Sequence, residues 1–212
     1  MTRARPSPTT TATERDHAAL PHTVSSTRAF GWWGMVGLIA TESMLFGSLI
    51  ASYFYLRFTS GPVWPPGGIP RPSLELPLIM TVILWSSSIP VHLAEHAVKK
   101  GRQTRFKICL ALGFLLGAVF LAIQLVVEYP EQLHEFTPQT NAYGSLFYAL
   151  TGLHGSHVAV GLGFSLWVQV RAWLGHFNEE RHVTVQNFTM YWHFVDAVWA
   201  LVLLTIYLSP SF

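Results

Sequence analysis

The 212-residue sequence predicts an all-α integral membrane protein, a bundle of five transmembrane helices with a cytoplasmic N-terminus and an external C-terminus. Three observations predict it. Hydrophobic residues make up 50% of the chain and charged residues 11%, less than half the roughly 25% charge of an ordinary soluble domain. Five segments stay apolar for roughly 20 residues or more, enough to cross about 30 Å of hydrocarbon at about 1.5 Å per residue. Cationic residues gather in the connections that share one side of such a bundle.

Residues 1–28 are polar and rich in Thr, Ser, Pro and Arg, with no apolar stretch long enough for a signal-peptide core, and read as a disordered cytoplasmic tail. Residues 29–212 form the transmembrane domain, with helices over about 31–56, 74–97, 106–127, 143–173 and 187–208. Backbone polar groups inside a bilayer must be satisfied within their own segment, so each apolar segment is a helix. The tail (Arg3, Arg5, Arg15, Arg28), the second loop (Lys99, Lys100, Arg102, Arg105, Lys107) and the fourth loop (Arg171, Arg181) fall on one side, which is therefore cytoplasmic. The other side holds Arg57 and Arg71, and the third connection carries Glu131 and Glu135 without a cation. The first external loop is dense in proline around Trp64, whose amphipathic ring suits the membrane interface, as does Arg57 at the end of the first helix.

The formal net charge of +2 implies no nucleic-acid partner. The lone Cys109 lies in an apolar run and can form neither a disulfide nor a cysteine metal site within the chain. No phosphate loop, HExxH or nucleophile–base motif is present.

Ionisable residues in hydrocarbon are costly, so those present face the bundle interior, pair, and mark function. Glu42 lies roughly 16 Å into the first helix, near mid-bilayer, with no cation on its own helix at that depth. It is either protonated or bonded to a neighbouring helix. Ser43, Gly47 and Ala51 recur beside it every four residues and read as an interhelical face, as do Gly155, Ala159 and Gly163 on the fourth helix. His92, Glu95 and His96 sit near the cytoplasmic end of the second helix, with both rings on one face; they either snorkel to the interface or, for His92 and Glu95, join a proton-linked or structural polar network with the other intramembrane groups. Gln124 and Glu128, four apart at the outer end of the third helix, can bond each other or the next helix. His154 and His157 share a face of the fourth helix, and the fifth adds His193 and Asp196. A histidine–carboxylate hydrogen-bond network is the economical reading. Haem between His154 and His193 is the competing one, although histidines three apart on one helix are not the opposed pair that bis-histidine ligation needs.

Three stretches resemble a known family. The last helix reads Tyr191-Trp192-His193-Phe194-Val195-Asp196-Ala197-Val198-Trp199, the fourth contains Thr151-Gly152-Leu153-His154-Gly155-Ser156-His157-Val158, and Glu42 is followed by Met44, Leu45, Phe46 and Gly47 ahead of Trp64-Pro65-Pro66 and the Gln124 to Tyr129 stretch. In content and order these resemble cytochrome c oxidase subunit III, over about residues 30 to 209. The resemblance implies a subunit without metal, docked chiefly on subunit I and also associated with subunit II. The haem and copper of those partner subunits reduce oxygen to water. It further implies phospholipid binding, support of subunit I during turnover, help with proton uptake, and residence in a bacterial cell membrane. The family's buried helix carboxylate corresponds to Glu42, and its other recurrent polar positions to Glu128, His154, His157, His193 and Asp196. Longer members have seven helices and hold lipid in a cleft that five helices do not form. Many also carry Glu where this chain has Gln186, so that charge is not carried over. A quinol oxidase subunit III or a nitric-oxide-reductase accessory protein shares the same helices. From other classes, a small b-type cytochrome accounts for the histidines and a proton-coupled transporter for Glu42 with Asp196.

Overall fold

The computed structural model describes residues 30–61, 64–66, 69, 73–179 and 181–211. The predicted disordered tail with its four arginines, and Arg71 in the first external loop, lie outside the described residues. The described chain is all-helical. Five long helices follow one another: α1 Phe30–Thr59, α2 Glu75–Lys99, α3 Gln103–Glu135, α4 Ala142–Trp173 and α5 Val183–Leu208. Four of them, α1, α2, α3 and α5, are long and apolar enough to cross a membrane. With 32 residues α4 has ample length, but Thr151, His154, Ser156 and His157 interrupt its apolar run.

The predicted boundaries differ from the observed ones most on α3. Residues 129–135, read from sequence as connection, continue the helix. A π turn over Gln124–Glu128 makes this possible, with the Tyr129 N–H reaching back to the Gln124 carbonyl. Pro130 then sits at the start of a fresh helical stretch, where its missing N–H is tolerated. A second π turn, Leu203–Leu208, precedes Pro210 in the same way at the end of α5. The Asn141 side chain caps α4 by accepting the Gly144 N–H at 2.9 Å. Gly101 after α2 and Gly175 after α4 take positive φ, of 67° and 75°, and stop those helices with the left-handed residue that glycine adopts without a Cβ clash.

Helix α5 is the hub. It packs against α1, α2 and α4, while α3 bridges α2 and α4; α1 and α2 pack on α5 rather than on each other. α1 runs parallel to α5, tied by Asn187 Nδ2 to the Gly31 carbonyl (3.1 Å) at one end and by Arg57 to Ser209 Oγ (2.6 Å) at the other. Two buried indoles tie α5 to α2: Trp192 donates to Ser87 Oγ and Trp199 to Thr81 Oγ1, both at 2.9 Å. Trp192 fits because Gly117 and Gly161 flank it; a Cβ on either glycine would come within 2.6 and 2.9 Å of the indole. Gly117 and Gly161 thus face a packed neighbour, as does Gly113, where a Cβ would come within 2.6 Å of Val91 on α2. The Ser43, Gly47, Ala51 stripe, expected to pack, is exposed instead, as are Ala159 and Gly163, while Gly155 of the second stripe is buried against Gln124.

Candidate functional site: paired polar groups at mid-depth

Half-way along their helices, α1, α2, α4 and α5 each carry polar side chains at one level, and the fold sorts these into separate sites. On the α1–α4 side, His157 Nε2 lies 3.1 Å from Glu42 Oε2. The Nδ1 of the same ring is 2.8 Å from the Leu153 carbonyl, which can only accept, so Nδ1 carries a proton. The Glu42–His157 contact therefore joins a carboxyl oxygen of α1 to the second ring nitrogen of a histidine on α4. Phe46 packs edge-on against this ring at 5.2 Å. The pair keeps side-chain exposures of 29% for Glu42 and 14% for His157, enough to leave it open on one flank.

His154 parts company with His157. Its ring is enclosed by Phe120 (5.8 Å) and Trp199 (5.0 Å), and neither ring nitrogen has a hydrogen-bond partner among the described residues. The shared face expected from their three-residue spacing thus splits, one histidine turning to α1 and the other into the core. On the α2–α5 side, Ser88 Oγ donates to Asp196 Oδ2 and lies 3.4 Å from His193 Nδ1, which is 3.9 Å from the same carboxylate oxygen. His92 stands 6.1 Å from His193, ring centre to ring centre, and 4.5 Å from His96; Glu95 pairs with Lys99 at 2.5 Å. A cavity of about 340 Å³ opens here between Trp32, His92, Glu95, Lys99, Met190 and His193.

Near the other end of the bundle, Glu128 and Gln124 do not bond each other. Tyr207 donates to Glu128 Oε1, joining the two π turns, and Gln124 Nε2 donates to the Thr151 carbonyl at 3.0 Å. Trp64 donates to Tyr53 Oη at 2.9 Å and packs against Tyr143 at 5.5 Å, so its indole is lodged in an aromatic cluster. Arg57 is held by Ser209.

Instead of one network, two carboxylate–histidine sites lie on opposite flanks of α5, with Glu128 in a third place. Sequence reasoning missed Ser88 and Tyr207. Depth could have found Tyr207, since it and Glu128 both lie near the ends of their spans on the same side. Nothing distinguished Ser88 from its neighbours Ser86 and Ser87. As for haem, His154 is enclosed by aromatic rings while His193 opens beside Asp196 and His92, so these two do not present an opposed ligand pair. Among the described residues no group of three or more His, Cys, Asp or Glu is placed to hold a metal ion.

Comparison with known proteins agrees with this architecture. Residues 13–211 match the family model described as cytochrome c oxidase subunit III. The chain is 35% identical over 180 residues to cytochrome c oxidase subunit 3 of Arabidopsis thaliana, covering 82% of this chain and 67% of that one. Against the Petromyzon marinus protein of that name it is 33% identical over 198 residues, covering 91% and 75%; against that of Aedes aegypti, 36% over 191 residues, covering 88% and 71%. With a match across nearly its whole length, this multi-pass helical membrane protein belongs to the cytochrome c oxidase subunit III family.

Proposed function

We propose that the chain is a metal-free subunit of an aerobic respiratory haem–copper oxidase, one that supports subunit I and its proton supply while oxygen is reduced to water. The observation that carries this reading is the pairing of the mid-depth ionisable groups with one another, Glu42 with His157 and Asp196 with Ser88 and His193, in a chain that matches the family from residue 13 to 211. Such pairs hold and exchange protons without a redox centre. All five helices cross the membrane in this reading, α4 being the fifth because it packs alongside α3 and α5. The N-terminus is cytoplasmic and the C-terminus external, supported by Lys100, Arg102 and Arg181 in the α2–α3 and α4–α5 connections and by Arg105 and Arg171 in the helical turns beside them. Subunit I is the main contact and subunit II a further one, with cytochrome c as the electron donor to the complex. A bacterial cell membrane is part of the reading, and bound phospholipid is expected on the exposed apolar faces of α2 and α3.

The test is affinity purification of the tagged chain from its native membranes, followed by separation of the subunits. Haem and copper are expected in the intact complex and in neither form on the separated chain. Recovery of the chain alone, or haem retained by it after separation, would sink the proposal.

A further inference from the structure

Because α1 and α2 stand apart, α5 is open to the outside along the gap between them. The floor of this groove is a single stripe of α5, Gln186, Met190, His193, Ala197, Leu201 and Leu204, whose spacings of three and four residues keep it on one face. His193, Ala197, Leu201 and Leu204 are exposed, although α5 is the most buried of the four apolar spans. One wall is α2, with Ser88 and His92. The other begins at Trp32 of α1, which lines the cavity at the mouth. Ser43 and Gly47, eleven and fifteen residues further, lie about three and four turns along α1 and share that side. Both are exposed, and a Cβ on Gly47 would meet nothing within 4 Å.

What covers this groove must satisfy two features at once. Half-way along α5, the His193 ring has 46% side-chain exposure and Asp196 retains 12%, with Ser88 between them. An acyl chain would suit Ala197, Leu201 and Leu204 but would leave these polar groups facing hydrocarbon, where nothing can hydrogen-bond to them. The small residues on the α1 wall admit a helix backbone at close range.

We propose that the α1–α2 groove receives a transmembrane helix of another oxidase subunit, one that brings a hydrogen-bonding side chain to the level of Ser88, His193 and Asp196. The proposal rests on the assignment to an oxidase complex. It gives the otherwise unpacked Ser43 and Gly47 a partner and turns the half-open Asp196 site into a subunit contact.

The test uses the full-length tagged chain assembled in its native membranes. Ala197→Cys, and separately Leu201→Cys in case the first fails to assemble, is labelled with a thiol-reactive photo-crosslinker; buried Cys109 in the unsubstituted chain serves as background. Val160→Cys, on the exposed side of α4, is the control position. The groove positions are expected to give an adduct with one oxidase subunit that maps to a membrane-spanning peptide, and Val160→Cys is expected to lack it. His193→Leu in the Ala197→Cys background should reduce that adduct while leaving the amount of chain in the membrane unchanged. If other subunits still co-purify but both groove positions link only to lipid, or to residues 1–29 of this chain, the groove proposal is overturned and the oxidase assignment stands. If no oxidase subunit co-purifies at all, both fall.

Discussion

Replacing Tyr207 by Phe removes one oxygen atom and little else. The ring keeps its packing against Phe147 at 5.8 Å and Trp199 at 6.4 Å, so the change isolates the hydrogen bond from Tyr207 to Glu128. Glu128 is 1% exposed and its other oxygen already lacks a partner among the described residues, so the variant leaves a buried carboxyl without a hydrogen bond to any of them. A buried polar group stripped of its partner costs about 1–3 kcal/mol. Glu128→Leu should cost a similar amount, because it strands the Tyr207 hydroxyl, which is equally buried. The double variant removes both polar ends and should cost no more than either single change, giving a coupling of at least about 1–3 kcal/mol between the sites. The measurement is equilibrium or thermal unfolding of the purified complex in one detergent, followed for wild type, both single variants and the double variant. If the double variant loses the sum of the two single losses to within about 0.5 kcal/mol, the two groups are independent and the reasoning is wrong.

Two further predictions follow from the packing and from the placement of charge. Gly117→Ala puts a Cβ 2.6 Å from the Trp192 indole, which is held on its other side by Gly161 and by its bond to Ser87; it should destabilise by about 1–3 kcal/mol. Gly163→Ala, where a Cβ meets nothing within 4 Å, should be neutral or slightly stabilising, and equal melting temperatures for the two variants would refute the slot. Reporter fusions after Lys100 and after Phe212 should read cytoplasmic and external respectively, and the same side for both would refute the five-span topology.

The helices were legible because hydropathy and length are properties of the chain itself: any segment of roughly 20 apolar residues must close its own backbone hydrogen bonds in a bilayer. Family membership was legible for a related reason, since the stretches from Tyr191 to Trp199 and from Thr151 to Val158 are contiguous in sequence. The end of α3 was not, because Pro130 reads as a breaker and the π turn that accommodates it leaves no mark in the hydropathy.

The sequence by itself determined that Glu42, His154, His157, His193 and Asp196 lie within apolar helices, and therefore that they need partners. Only the tertiary structure decided which partners. Periodicity assigns a residue to a face of its own helix, but the neighbour opposite that face depends on how helices are placed around α5. That placement sent His157 to Glu42 and His154 between Phe120 and Trp199, and it joined Asp196 to Ser88 of α2. The glycines follow the same logic. Gly47 and Gly117 carry equal small-residue signals in sequence, yet Gly117 makes room for Trp192 and Gly47 meets open space, because close approach is a property of two helices and neither one encodes it alone.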